Sequence, residues 1–158
     1  MIRKKILLLG DFSVGKTSLV RRYIDGAFDD KYLTTIGVKI AKKHFDIEGV
    51  EYELIIWDIE GSTPSKKISL GYYKGASGAI CVADITRKET LEGLKEHQKI
   101  FLNENPKGKV VLAYNKSDLL SETEKDKIIL DSNTFFTSAK DDSGVEEVFL
   151  RLMEQMIV

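Results

Sequence analysis

Hydrophobic residues occur along this chain in two repeating patterns. Residues 6–9 are continuously apolar and residues 79–85 are apolar except for Asp84, which is typical of strands buried on both faces of a sheet. Apolar residues then return at helical spacing in residues 19–24. Strands and helices are therefore expected to alternate along the chain.

Four further segments read as strands. Residues 38–47 and 51–59 flank a tight turn at Glu48 and Gly49, which predicts an antiparallel hairpin. Residues 110–114 and 134–137 predict two shorter strands. Residues 64–76 are ambiguous and suggest an irregular helix.

Helix starts are indicated by a hydroxyl residue followed three positions later by glutamate, the capping-box spacing. This spacing occurs three times, at Thr86/Glu89, Ser121/Glu124 and Ser143/Glu146, and the first of these helices is expected to run to about Asn105. The last helix carries an apolar stripe that we interpret as a core face: Val145, Val148, Phe149, Leu152, Met153 and Met156.

The alternation predicts an α/β fold with a mostly parallel six-stranded sheet, one antiparallel edge strand and helices on both faces. A length of 158 residues suits one domain, residues 1–158. In such sheets ligands bind at the carboxyl ends of the strands. Four loops should meet there: residues 11–16, 58–61, 115–118 and 138–140.

Charge and composition narrow the function to a local site. The chain has 24 Lys and Arg against 25 Asp and Glu, so no broad basic surface favours nucleic acid. Cys81, the single cysteine, lies in an apolar run and reads as a core residue. We find no signal peptide, membrane span or lipidation motif, and we expect a cytoplasmic protein without a direct lipid anchor.

Residues 10–18 match the phosphate-binding pattern G-x-x-x-x-G-K-[ST], and they lie between a predicted strand and a predicted helix, as that motif requires. Backbone N–H groups of such a loop bind phosphate, and Lys16 supplies a positive charge. Thr17 offers its hydroxyl to Mg²⁺. The motif predicts a nucleoside triphosphate site without specifying the base.

Two later motifs bear on the metal and the base. Asp58 to Gly61 has the form D-x-x-G at a strand end, from which Asp58 could hold Mg²⁺ through water. Asn115, Lys116 and Asp118 follow another strand, and the Asp118 carboxylate can accept both donors of guanine, whereas adenine has neither on that edge. Residues 138–140 should add a backbone N–H to the guanine carbonyl.

Taken together, residues 10–18, 35–38, 57–61, 72–76, 115–118 and 137–140 resemble a Ras-superfamily small GTPase, nearest the Rab-like branch. The resemblance implies that Thr35 ligates Mg²⁺ beside Thr17 and that Phe28 packs against guanine. It implies catalytic roles for Lys16, Thr35, Gly61 and the position of Ser62. The full nucleotide-binding set is Gly10, Asp11, Phe12, Ser13, Val14, Gly15, Lys16, Thr17, Ser18, Phe28, Asn115, Lys116, Asp118, Ser138, Ala139 and Lys140.

Three residues depart from the family pattern. Ser62 stands where the family usually has the glutamine that orients the attacking water, and serine is too short for that contact. Glu60 brings a carboxylate near the terminal phosphate. Phe12 occupies a small-residue position, where its ring either obstructs an incoming arginine or packs against a neighbouring element.

The resemblance implies a GTP/GDP switch that contacts effectors and regulators through loops 29–37 and 60–72. We expect a monomer. Slow GTP hydrolysis is expected from the three departures. Two alternatives remain open from the sequence: a nucleotide-dependent binding module with negligible catalysis, and an ATP-using P-loop enzyme, against which Asp118 argues.

Overall fold

Strands and helices alternate through the computed structural model, which describes residues 1–24, 38–60 and 69–157. Short 3-10 turns occupy Leu70–Tyr73 and Ser117–Leu119. The strands and α-helices are β1 (Ile2–Gly10), α1 (Lys16–Ile24), β2 (Val38–Ile47), β3 (Val50–Ile59), β4 (Gly78–Asp84), α2 (Lys88–Glu92), α3 (Leu94–Glu104), β5 (Lys109–Asn115), α4 (Glu122–Asp126), β6 (Thr134–Phe136) and α5 (Val145–Met156).

The described strands form one six-stranded sheet in the order β2-β3-β1-β4-β5-β6. Every neighbouring pair is parallel except β2 and β3, which form the antiparallel hairpin at one edge. Glu48 and Gly49 both have positive φ, +50° and +80°, as a two-residue hairpin turn requires. The predicted α/β sheet with one antiparallel edge strand is therefore confirmed.

Two hydrophobic layers cover the sheet because the central strand β1 is apolar on both faces. Ile6 and Leu8 pack towards α1 and α5, while Leu7 and Leu9 pack on the opposite face with the α3 residue Phe101. The α5 stripe is buried as predicted, with only Met156 partly exposed. Cys81 is fully buried and unpaired, as expected of a core cysteine.

Two of the three predicted capping boxes are wrong, for a shared reason. Thr86 donates its hydroxyl to Asp84 Oδ1 at 2.6 Å, and Ser143 donates to Asp141 Oδ1 at 2.8 Å. In each case an aspartate two residues earlier binds the hydroxyl, so the helix begins later, at Lys88 and at Val145. Ser121 has no such neighbour and forms the predicted capping box with Glu124.

The helix predicted from Thr86 to Asn105 is divided at Gly93 into α2 and α3. The ambiguous segment 64–76 contributes the 3-10 turn in its described part, and residues 64–68 lie outside the described ranges. Among the described helices, none combines the length and apolar character needed to span a bilayer.

The parallel strands β1, β3, β4, β5 and β6 all end at the same edge of the sheet. The loops that follow β1, β5 and β6, together with the carboxyl end of β3, therefore converge there. This edge holds the candidate site.

Candidate nucleotide-binding site

Two adjoining cavities occupy the carboxyl edge of the sheet. The larger has a volume of about 660 Å³ and is lined by the loops after β5 and β6, and the smaller, of about 310 Å³, is lined by the loop after β1 and the end of β3. Gly15 and Ser18 line both cavities. A ligand with two chemically different halves could therefore occupy them together.

Two glycines allow the loop after β1 to follow its path. A Cβ on Gly10 would overlap the carbonyl oxygen of Val82 on the neighbouring strand. Gly15 has φ of +100°, and a Cβ there would overlap the amide nitrogen of Asn115. Glycine is required at both positions for these close approaches.

Lys16 is a buried cation of the smaller cavity, and only 6% of its surface is exposed. Its Nζ donates to the carbonyl oxygens of Gly10 at 3.1 Å and Asp11 at 3.0 Å. Burial lowers the pKa of Lys16 from 10.5 to about 8, against the opposing charges of Asp58, Asp11 and Glu60. A bound phosphate would add negative charge here and favour the protonated amine.

Thr17 and Asp58 lie side by side in the same cavity. The Thr17 hydroxyl donates to Asp58 Oδ2 at 2.7 Å, and Asp58 is 3% exposed. Burial raises the pKa of Asp58, while the Thr17 hydrogen bond and the Lys16 charge act in the opposite direction. One hydroxyl and one carboxylate are hard oxygen donors of the kind that Mg²⁺ prefers.

A Mg²⁺ ion held here would need further ligands from phosphate and water. Within residues 1–24, 38–60 and 69–157, no group of three or more His, Cys, Asp or Glu side chains could enclose a metal. Mg²⁺ commonly takes only one or two protein ligands beside substrate phosphates. Thr17 and Asp58 therefore fit a shared metal and phosphate site.

Asn115 joins the two cavities from its buried position at the end of β5. Its Nδ2 donates to the Val14 carbonyl at 2.9 Å, and its Oδ1 accepts from the Thr137 hydroxyl at 3.0 Å. Lys116 has φ of +64° and donates its Nζ to the Ser13 carbonyl at 3.0 Å. The loops after β1, β5 and β6 are thus fixed to one another by side chains of the predicted motif.

Asp118 lines the larger cavity, and a neighbouring hydroxyl orients it. Ser138 Oγ donates to Asp118 Oδ1 at 2.8 Å, and Ser138 is fully buried. The Ser138 N–H donates to the Ser143 carbonyl, so both donors of this residue bind within the protein. Ala139 and Lys140, the next two residues, line the cavity itself.

The model of the Ras family matches residues 5–158. The chain belongs to the Ras family. Bovine (Bos taurus) Ras-related protein Rab-13 is 34% identical over 163 residues, covering 98% of this chain and 80% of that protein. Human (Homo sapiens) Ras-related protein Rab-21 is 35% identical over 164 residues, covering 97% and 72%. Ras-related protein SEC4 of Saccharomyces cerevisiae is 35% identical over 156 residues, covering 94% and 72%.

This Ras-family chain is a Rab-like small GTP-binding protein, and the two cavities lie where its recognition motifs meet. Phe12, 54% exposed, and Glu60 both line the smaller cavity. Within residues 1–24, 38–60 and 69–157, the exposed ring of Phe12 is part of neither hydrophobic layer. Four further residues named from the sequence, Phe28, Thr35, Gly61 and Ser62, lie outside the described residues.

Sequence reasoning missed three side chains that contact the loops lining the two cavities. Arg22 donates to the carbonyls of Ala139 at 2.8 Å and Lys140 at 3.1 Å, which fixes the loop after β6. His97 Nε2 lies 2.8 Å from Asp11 Oδ1 and joins α3 to the loop after β1. Arg87, the third, donates to the carbonyl of Phe12 at 3.0 Å. None belongs to a recognised motif, so the sequence carried no local signal for them.

Proposed function

We propose that this Ras-family chain is a switch that binds GTP and GDP with Mg²⁺ and hydrolyses GTP slowly. The observation that carries the proposal is the pair of cavities sharing Gly15 and Ser18, one with Lys16, Thr17 and Asp58 and the other with Asp118. The first set of side chains suits phosphates and the second suits a base. A nucleotide carries both groups and could place one in each cavity.

Selection of guanine is attributed to Asp118. Its carboxylate accepts from the ring N–H and the exocyclic amine of guanine, and hydrogen bonds to a charged group contribute about 1.5 to 3 kcal/mol each. Two such bonds favour guanine over adenine by roughly 3 to 6 kcal/mol. The hydrogen bond from Ser138 supports this role because it leaves the carboxylate oriented before the base arrives.

Thr17, Thr35 and Asp58 are the proposed Mg²⁺ residues, the last acting through water. Bound Mg²⁺ supplies positive charge that offsets the charge of the phosphate oxygens. Lys16 and the backbone N–H groups of residues 13–18 bind the phosphates, and Phe28 packs against the base. Gly61 contributes an N–H to the terminal phosphate, and residues 1–158 act as one G domain.

Slow hydrolysis is proposed because Ser62 cannot reach the attacking water as a glutamine would. Single-turnover conversion of bound GTP should be at least about tenfold slower in the wild type than in Ser62→Gln, about 1.4 kcal/mol in barrier height. Ser132→Gln, a remote exposed serine, is the matched control and should leave the rate unchanged. Equal rates in wild type and Ser62→Gln would remove the role given to Ser62.

The same experiment tests whether the protein is an enzyme at all. Stoichiometric conversion of bound GTP to GDP over a long incubation supports the slow hydrolase. Intact GTP at the end would instead support a binding module without catalysis. The nucleotide that copurifies with the protein, identified by chromatography, tests the binding proposal separately, and recovery of adenine nucleotides alone would contradict it.

Switching is assigned to loops 29–37 and 60–72, through Thr35 and Gly61, with effector and regulator proteins reading the GTP-bound form. We propose a cytoplasmic monomer. Light scattering of the GDP-bound and GTP-bound protein tests the oligomeric state, and a dimer in either state would contradict it.

A further inference from the structure

Arg87 lies at the amino end of α2, outside every motif of the nucleotide site, yet it contacts the phosphate-binding loop. Its Nη1 donates to the carbonyl oxygen of Phe12 at 3.0 Å and lies 3.5 Å from that of Ser13. Its Nε donates to Glu89 Oε1 at 3.2 Å, which orients the guanidinium group. The Arg87 side chain is 37% exposed and connects α2 to the loop.

With this contact, three consecutive carbonyls of the loop each accept a hydrogen bond from a side chain of another element. Arg87 donates to Phe12, Lys116 to Ser13 and Asn115 to Val14. In a planar trans peptide the C=O and N–H point in opposite directions. Fixing these three carbonyls therefore fixes the N–H groups of the next residues, 13–15, all of which line the smaller cavity.

Ser13 is the residue in this loop that most needs such support. Its φ is +63°, in the left-handed region that residues other than glycine adopt only at a cost in free energy. The peptide before its Cα is held by Arg87 and the peptide after it by Lys116. Lys116 belongs to one of the sequence motifs of the nucleotide site, whereas Arg87 belongs to none of them.

We infer that Arg87 is a positioning residue that holds the peptide between Phe12 and Ser13 in the conformation that binds phosphate. The inference rests on the proposed nucleotide binding and deepens it. Removal of Arg87 leaves the left-handed Ser13 held on one side only. The loop then spends more time in conformations whose N–H groups do not face the phosphate, so bound nucleotide is released faster.

The first test compares Arg87→Ala with Lys88→Ala, using fluorescent GDP and Mg²⁺ and measuring the dissociation rate by stopped flow. Lys88 is the next residue along, its side chain is 87% exposed, and it pairs with Glu92 on the same helix. Loss of a hydrogen bond from a charged group should speed GDP release about tenfold in Arg87→Ala. Lys88→Ala should stay within about twofold of wild type.

The second test adds Ser13→Gly to the wild type and to Arg87→Ala. Glycine adopts positive φ without strain, so a loop with glycine at position 13 depends less on Arg87. Ser13 lines the smaller cavity, so the effect of Arg87→Ala is measured against Ser13→Gly alone, and there it should be much smaller than the tenfold effect measured against the wild type. A role of Arg87 confined to the stability of α2 predicts the same effect in both backgrounds, and thermal melting of all five proteins reports that stability directly.

The outcomes separate the two proposals. Wild type that binds no GDP would overturn the proposed function and this inference together. Wild type that binds GDP while Arg87→Ala releases it at the wild-type rate would overturn the inference alone. A tenfold effect of Arg87→Ala measured against Ser13→Gly would also overturn it, since the loss would then come from a route other than Ser13.

Discussion

The two cavities differ in which part of the chain faces the ligand. In the larger cavity, the group that we propose recognises the base is a side chain, Asp118, and a second side chain, Ser138, donates a hydrogen bond to it. In the smaller cavity, the groups that we propose bind phosphate are largely backbone N–H groups of the loop after β1, and side chains of other elements bind the carbonyl groups of the same loop. Both cavities are organised by side-chain hydrogen bonds, but these bonds act on a carboxylate in one and on backbone carbonyls in the other.

This difference predicts that the larger cavity determines which base is preferred, whereas the smaller cavity determines how tightly any nucleotide binds. A side chain can be exchanged without moving the backbone, so one substitution in the larger cavity should change which base is preferred. Backbone N–H groups cannot be exchanged, so a substitution that displaces the loop after β1 should weaken all nucleotides alike. Substitutions at Asp118 and Ser138 test the base side of this distinction, and a substitution at Gly15 tests the backbone side.

The largest effect is expected for Asp118→Asn. An amide presents one acceptor and one donor instead of two acceptors. Guanine then loses one hydrogen bond to a charged group, keeps only an uncharged acceptor for the other, and has one donor facing the amide N–H, which together cost roughly 3 to 6 kcal/mol, or about a hundredfold to ten-thousandfold in affinity. Xanthine, which presents an acceptor in place of the exocyclic amine, should be favoured instead. Competition between GDP and XDP for the protein measures the change.

Asp126→Asn, on the exposed surface of α4, is the matched control for Asp118→Asn and should keep the preference for GDP. Guanine selectivity retained in Asp118→Asn would contradict side-chain recognition of the base. Equal loss of GDP and XDP would contradict the separation of the two cavities, because it would mean that the substitution also displaced the phosphate-binding loop.

Gly15→Ala tests the backbone side of the comparison. The new methyl group would overlap the Asn115 amide, at a φ of +100° that alanine adopts poorly. Strain of about 1 to 3 kcal/mol, shared with the displaced loop, should weaken GDP, GTP and XDP by similar factors of roughly tenfold to a hundredfold. Calorimetric titration of each nucleotide checks this.

Gly49→Ala provides the control that separates steric overlap from backbone strain. Gly49 lies in the turn between β2 and β3 and has φ of +80°, but a Cβ there would meet no atom of the described residues within 4 Å. Gly49→Ala should lower the melting temperature without changing nucleotide affinity. A Gly15→Ala protein that discriminated more strongly between bases than the wild type would contradict the expected uniform loss.

The parts of both cavities that were predictable from sequence are those carried by short motifs at strand ends. Gly10, Lys16 and Asn115 are recognisable because their spacing and chemistry lie within a few consecutive residues. Arg22 and Arg87 are not, since their acceptors are carbonyls 117 and 75 residues away in the chain. Every residue has a carbonyl, so no residue type marks the partner in advance.

The same reasoning explains the two wrong helix starts. The capping-box spacing considers the serine or threonine and the residue three positions later. It ignores the aspartates two positions earlier, Asp84 and Asp141, which bind the hydroxyls of Thr86 and Ser143 more directly. The competing acceptor was present in the sequence, and the local spacing rule gave it no weight.

Ser138→Ala should have a smaller effect, confined to the base side. It removes the hydroxyl that orients Asp118, a loss of about 1 kcal/mol or roughly fivefold in GDP affinity. Ser143→Ala is the control, because its exposed hydroxyl bonds Asp141 and contacts neither cavity. If GDP and GMP lose affinity by the same factor in Ser138→Ala, the substitution acts on binding of the base.

A larger loss for GDP than for GMP would mean that the substitution also weakens phosphate binding, and it would contradict the separation of the two cavities.

The smallest effect concerns Asp84, the buried carboxylate that pairs with Lys116 between the two cavities. Its Oδ2 lies 3.1 Å from Lys116 Nζ, and Asp84 is 3% exposed. Burial raises the pKa of Asp84, but the hydrogen bonds from Thr86 and Lys116 more than offset this, so its pKa lies below the ordinary value. A carboxylate with a depressed pKa stabilises the folded state above the unfolded pKa of about 3.9.

Asp84→Asn should therefore lower the free energy of unfolding by about 0.5 to 1 kcal/mol at neutral pH. Urea unfolding should give the same difference from wild type between pH 6 and 8, the range in which the carboxylate is ionised in both states. The difference should shrink as the pH falls below about 5, because protonation of the unfolded wild type removes its advantage. Asp46→Asn, on the exposed edge strand, should show a smaller difference throughout. If the difference in free energy of unfolding between wild type and Asp84→Asn grew on acidification, the linkage would have the opposite sign. Asp84 would then be a neutral acid in the folded state, and Lys116 would bind the Ser13 carbonyl without a paired charge.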